Sequence, residues 1–126
     1  MEGSQVYSDK QVVISRDAFG RLVIAGAVDY FNAGPVAAVL VREMERSVPD
    51  GVPVALDGAA STYGDLQVDL SRLEFSDVSG IRAMVGVAEH AVGGRRLVLR
   101  GLPPQISRVM AVVGWSELPN LVVEGP

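Results

Sequence analysis

From residue 32 to residue 113 the apolar residues alternate between a helical repeat and short β-rich runs, and Pro or Gly punctuates the changes. A strand–helix–strand unit closes right-handed and leaves its strands parallel, so this alternation restricts the chain to an α/β fold with a largely parallel sheet. The first helix is expected from Asn32-Ala33-Gly34-Pro35. Asn is a good N-cap, and Pro is tolerated in a first turn, where its missing N–H would be unbonded anyway. Ala37, Leu40, Val41 and Met44 recur at helical spacing, Arg42, Glu43, Glu45 and Arg46 face out, and Pro49-Asp50-Gly51 stops the helix. A second helix carries Ile81, Met84, Val85, Ala88 and Val92 on one face and ends at Gly93-Gly94. A third opens at Pro103-Pro104, carries Ile106, Val109, Met110 and Val113 on one face, and ends at Gly114.

The strands fall between these helices. Residues 11–15 and 22–27 form an opening antiparallel pair, joined by the loop 16–21 with Gly20 near its end. Residues 66–70 read as a central strand, 96–100 as the next, and 121–123 as a final strand or apolar tail. Residues 52–56 could be a short strand that Pro53 keeps at an edge, followed by turn chemistry at Asp57-Gly58 and a loop over 59–64. The expected order is β-β-α-β-α-β-α with a terminal extra: a mixed, mostly parallel sheet with an opening β-hairpin and helices packed on it, in a single domain over 1–126.

Charge and composition exclude several functions. The net charge of -4 leaves no basic stripe to displace counterions from a nucleic acid and no polybasic patch for a membrane. No apolar run approaches the ~20 residues of a membrane span, and the N-terminus lacks a signal pattern. Cysteine is absent, which removes disulfides, a thiol nucleophile and Cys-based zinc sites. A soluble cytoplasmic protein without a cofactor is the expectation.

One stretch is more specific. Asp69-Leu70-Ser71, then Phe75-Ser76-Asp77-Val78-Ser79-Gly80-Ile81, resembles the signature of STAS domains, the anti-sigma-factor antagonist fold. Gly26-Ala27-Val28-Asp29 is similar to the family's Gly-x-Leu-Asp at the end of its second strand. Gly101-Leu102-Pro103-Pro104-Gln105-Ile106, continuing to Val113-Gly114-Trp115, is similar to its closing segment, so the likeness covers roughly residues 10 to 125. In regulatory members the Ser before the Gly is phosphorylated by a partner kinase, and it maps to Ser79, with the preceding Asp at Asp77. The sequence departs from the family at Val78, where the first Ser of a Ser-Ser pair is replaced, and in a longer, variable segment over 48–64.

The residues themselves allow this chemistry. Ser79 stands where a strand-end loop enters a helix and is a plain N-cap or a phosphoacceptor. Gly80 leaves its hydroxyl open to approach. A helix N-terminus favours the ~-1.5 to -2 charge of a phosphate. Asp77 either structures the loop or positions a partner. Ser61 and Thr62 are lesser phosphosite candidates, and Ser76 reads as loop filler. Catalysis is not expected: the only His, His90, lies eleven residues beyond Ser79, ~16 Å along one helix. Asp29, Asp69 and Asp77 could gather at strand ends, but no spacing motif supports a metal. Trp115 and Met110 read as core or as a partner-facing apolar edge.

The resemblance therefore implies a non-enzymatic antagonist that binds an anti-sigma factor with serine kinase activity and lets go when Ser79 is phosphorylated. Its contact surface would be Asp77, Val78, Ser79 and Gly80, with Arg82 and Glu89 on the exposed face of the helix. Two alternatives stay open: a non-switching STAS module serving a transporter or sensory complex, and a sensor of small ligands. The apolar share of the composition also leaves room for a homodimer.

Overall fold

The structure, a computed structural model, describes residues 4–45, 65–90 and 95–124. Seven strands make one sheet: β1 (Ser4–Ser8), β2 (Val12–Arg16), β3 (Leu22–Val28), β4 (Leu66–Asp69), β5 (Leu73–Ser76), β6 (Leu97–Arg100) and β7 (Leu121–Glu124). They are ordered β1-β2-β3-β4-β6-β7, with β5 also paired to β3. The pairs β1–β2 and β2–β3 are antiparallel and the rest are parallel. The helices are α1 (Ala33–Met44), α2 (Val78–Gly86) and α3 (Pro104–Val113). The expected mixed, mostly parallel α/β architecture is therefore present.

Period-two alternation decides which face is covered. Ile14 pairs with Ile24, Leu22 with Val68, Val68 with Leu99, and Leu97 with both Leu66 and Leu121, so these side chains share one face. All are buried in a single core that α1 enters with Val36, Val39, Leu40 and Met44, α2 with Ile81, Met84 and Val85, and α3 with Ile106 and Met110. Each fully buried Leu or Ile contributes about 1.5–3 kcal/mol over an exposed one. The opposite face carries Val13, Ser15, Val23, Ala25, Gln67 and Asp69, none of them buried. Val98, in register with Gln67, is buried on that side, apart from the main core.

Three sequence expectations change. The chain opens with three strands and not two, because β1 adds to the outer edge of β2 through a bulge between Gln5 and Tyr7. Residues 73–76 form a strand where a loop was expected, since Gly26, Ala27 and Val28 leave an edge of β3 that β4 does not reach. The second helix is shorter than its apolar pattern. It ends at Gly86, and the Val87 N–H reaches back to the Met84 carbonyl, which tightens Val87–His90 into a 3-10 turn.

Other expectations hold. The loop after β2 turns at Gly20, with φ of 83°, while Asp17 Oδ1 accepts from the Phe19 and Arg21 N–H groups. Gly114 ends α3 in the left-handed region at φ 83°, and 121–124 is a true strand. The expectations for residues 52–56, Asp57-Gly58, 59–64, Ser61, Thr62, Val92 and Gly93-Gly94 lie outside the described residues.

Candidate functional site

The site is a corner made by two strand ends. β3 and β5 run parallel with Val28 opposite Ser76, so the next residues, Asp29 and Asp77, emerge side by side. Gly26 makes this possible. Its φ is 113°, a Cβ there would stand 2.1 Å from the Gln11 carbonyl oxygen, and a register shift follows it that carries the end of β3 onto β5.

Asp77 is the N-cap of α2, its backbone extended and its Oδ1 accepting the Gly80 N–H at 2.8 Å. This corrects the assignment of the cap to Ser79, which lies inside the first turn and is half-buried. Asp wins the cap because the helix starts one residue earlier than the serine. Gly80 also has a different reason from the one expected. It is buried, and a Cβ on it would meet Ser76 Oγ and the Val28 carbonyl oxygen, both at 2.5 Å. Glycine lets the start of α2 sit directly on the end of β3 and does not open an approach to the hydroxyl. Ser76 is not filler, because its Oγ donates to the Asp77 carbonyl at 3.1 Å, beneath the helix start.

The other oxygen of Asp77 accepts the Tyr30 N–H at 3.1 Å and ties α2 to the turn after β3. That turn is held by side chains. Asp29 Oδ1 accepts from the Phe31 N–H and Asp29 Oδ2 from Gln11 Nε2. Asn32 occupies the N-cap position of α1 but makes no side-chain cap bond. Instead it is buried, its Oδ1 accepting the Asp29 N–H at 2.7 Å and its Nδ2 donating to the Ala27 carbonyl at 2.9 Å and to Asp9 Oδ2 at 3.3 Å.

Electrostatics follow from these bonds. The amide of Gln11, with the backbone bonds of the turn, holds the Asp29 carboxyl below its ordinary value. Partial burial pushes Asp9 up, but the Gln11 and Val12 N–H groups, the Tyr7 hydroxyl and the Asn32 amide outweigh it and hold it low. Tyr7, donating to Asp9, is held above the usual phenol range.

Exposed apolar side chains flank Asp77: Val78 belongs to the expected contact surface, whereas Tyr30, Phe31 and Phe75 do not. Tyr30 is 74% exposed, Phe31 84%, Phe75 55% and Val78 61%. The Tyr30 and Phe31 rings meet edge to face at 5.8 Å. A signal existed: two consecutive aromatic residues between a strand-ending Asp29 and a helix-starting Asn32 occupy a turn, where both rings cannot be buried.

Of the other sequence candidates, Arg82 is exposed on α2, one turn beyond Val78, while Glu89 is exposed in the 3-10 turn and off the helix proper. His90 is exposed, with Nδ1 3.8 Å from Glu45 Oε2. Asp69 does not join Asp29 and Asp77. It pairs with Val23, about 20 Å back along β3, where its Oδ1 accepts the Ser71 N–H. Among the described residues no group of three His, Asp or Glu is placed to hold a metal ion. Met110 is buried and Trp115 half-buried against the core. No helix of the described residues is long and apolar enough to cross a membrane. The corner can thus present a hydroxyl beside a helix N-terminus and an apolar surface to a partner.

Comparison with known proteins agrees with this architecture. The family described as "Mlab, STAS domain" matches residues 36–123. Among solved structures, one similar chain belongs to the complex of the diguanylate cyclase SiaD with its activator SiaC from Pseudomonas aeruginosa. It is 20% identical, with 98% of this chain and 99% of that chain covered and a TM-score of 0.52. Another is the murine anion transporter Slc26a9 in its inward-facing state, 14% identical with a TM-score of 0.55, where 97% of this chain covers 20% of the transporter chain. No curated protein matches.

Proposed function

Because this chain belongs to the STAS domain family, we propose that it is a regulatory domain that works by binding a protein partner, without catalysis of its own, and that phosphorylation of Ser79 releases the partner. The observation that carries the reading is the division of labour at the start of α2. Asp77 makes the capping bond, so Ser79 is spared that task and stands, half-buried, in the first turn. A phosphate at that position lies near the unbonded N–H groups and the positive end of the helix dipole, where added negative charge is tolerated. The modification then acts between molecules, by bulk and charge on the docking face, and leaves the fold intact.

The partner that best fits the family resemblance is an anti-sigma factor with serine kinase activity. Arg82 lies on the same helix, and Val78 and the Asp77 loop lie beside Ser79. The test is intact-mass analysis after incubation with ATP and an anti-sigma-type serine kinase from the same genome. One phosphate on the wild type and none on Ser79→Ala supports the switch. An unmodified wild type with a demonstrably active kinase overturns it.

A second reading, a module that binds without covalent switching, is favoured by Val78. It is exposed where the family has the first of two serines. The SiaD–SiaC complex and the Slc26a9 transporter supply examples of assemblies that contain chains of this fold.

A further inference from the structure

We propose that Tyr30, Phe31, Phe75 and Val78 form the anchor of the docking surface, and that the partner presents an apolar recess rimmed by Lys and Arg. The inference rests on the reading that this corner is the partner face, and it adds the chemistry of what binds there. Four of the large apolar side chains left exposed among the described residues belong to the segments that form this corner. They come from two segments 47 residues apart that the Tyr30–Asp77 hydrogen bond holds together. Aromatic side chains fixed on a short, internally bonded turn lose little entropy when they bind, which is the character of interface anchors.

Charge identifies the occupant. The carboxylates of Asp29 and Asp77 stand at the strand ends, and Glu74 is exposed on β5 between Leu73 and Phe75. Asp9 adds a fourth carboxylate behind the turn. Lys10, Arg72 and Arg82 are the exposed cations on the same segments, so four carboxylates stand against three cations and the rim is acidic on balance. A second copy of this chain would bring like charges together, whereas a basic-rimmed recess is complementary. The exposed valines of α3, Val109, Val112 and Val113, have no acidic residue on their helix and lack this rim.

Two designed amphipathic helical peptides with the same leucine face test the proposal, one otherwise rich in Lys and the other in Glu. Each is titrated into the isotope-labelled full chain and followed by amide chemical shifts. The Lys-rich peptide is expected to perturb residues 29–31 and 74–79, to weaken as salt is added, and to lose affinity by about tenfold in Phe31→Ser. It should bind Val112→Ser like the wild type. Phe31 is exposed, so dispersed spectra of its variant verify the fold.

Equal binding of the Glu-rich peptide, shifts centred on α3, or undiminished binding by Phe31→Ser would overturn the proposal. So would sedimentation showing that the free protein dimerises through Phe31. Phosphorylation of Ser79 is read separately by mass, so loss of the switch and loss of the anchor are distinguishable.

Discussion

Asp77 and Tyr30, 47 residues apart, are joined by a hydrogen bond from the Tyr30 N–H to Asp77 Oδ2 at 3.1 Å. The same carboxylate caps α2 through Gly80, so one side chain orders both segments of the corner. Asp77→Ala removes both acceptors and is expected to cost about 1–2 kcal/mol in urea unfolding. Asp77→Asn keeps one acceptor oxygen and should cost less. Equal stability of Asp77→Ala and wild type would mean that neither bond contributes.

Gly80 and Gly86 lie on the same helix in opposite circumstances. A Cβ at Gly80 meets the Val28 carbonyl oxygen at 2.5 Å, and one at Gly86 meets nothing within 4 Å. Gly80→Ala should destabilise by about 1–3 kcal/mol through overpacking. Gly86→Ala should stabilise by about 0.4–1 kcal/mol by restricting the unfolded chain. Thermal melts of the two variants should move in opposite directions.

Asn32 is the buried polar side chain on which the turn after β3 depends. Asn32→Ala removes the acceptor of the Asp29 N–H and a donor to the Ala27 carbonyl, at about 1–3 kcal/mol for a buried group left unpaired. Asn32→Asp is nearly isosteric but sets a carboxylate against the Ala27 carbonyl and Asp9. Its stability relative to wild type should fall as the pH rises from 4 to 7, which paired melts at each pH would reveal.

Acid should loosen the native chain in a defined window. Asp9, Asp17, Asp29 and Asp69 all have folded-state values held below the ordinary carboxylate. A depressed carboxylate contributes stability that is fully present above its unfolded value, about 3.9, and is lost as the pH falls through the folded value. Denaturant midpoints should be insensitive to these four groups near neutrality and decline below about pH 4.

Added charge at Ser79 should leave the fold standing. Ser79→Glu places a carboxylate in the first turn of α2, where the dipole favours it by about 0.3–1 kcal/mol. Its melting temperature should match or slightly exceed that of the wild type. A large loss would count against the phosphate being accommodated there.

Much of the fold was legible because it is written in periodicity. The helical spacing of Leu40 and Met44, of Ile81, Met84 and Val85, and of Ile106 and Met110 marks the buried faces, and Gly20 and Gly114 mark real turns. What escaped was set by pairing at a distance. Residues 73–76 alternate weakly, and they form a strand because β3 offers a free edge there. Ser79 looked like a cap from its place where a strand-end loop enters a helix, but whether Asp77 or Ser79 caps depends on where the helix begins. Asp29 and Asp77 were rightly grouped, while Asp69 was displaced by the short pairing of β4 with the start of β3. Tyr30 and Phe31 escaped because aromatic residues are ordinarily assigned to a core.

β3 is bonded to β2 on one edge and, on the other, to β4 and then to β5. Central amides of this strand therefore cannot open without disrupting more than one ladder, and they should be among the slowest in the chain to exchange with deuterium. The corner at its carboxyl end shares in that cooperativity. A partner would meet a surface whose order is underwritten by global unfolding, not by local fluctuation, and little entropy of folding would remain to be lost on contact.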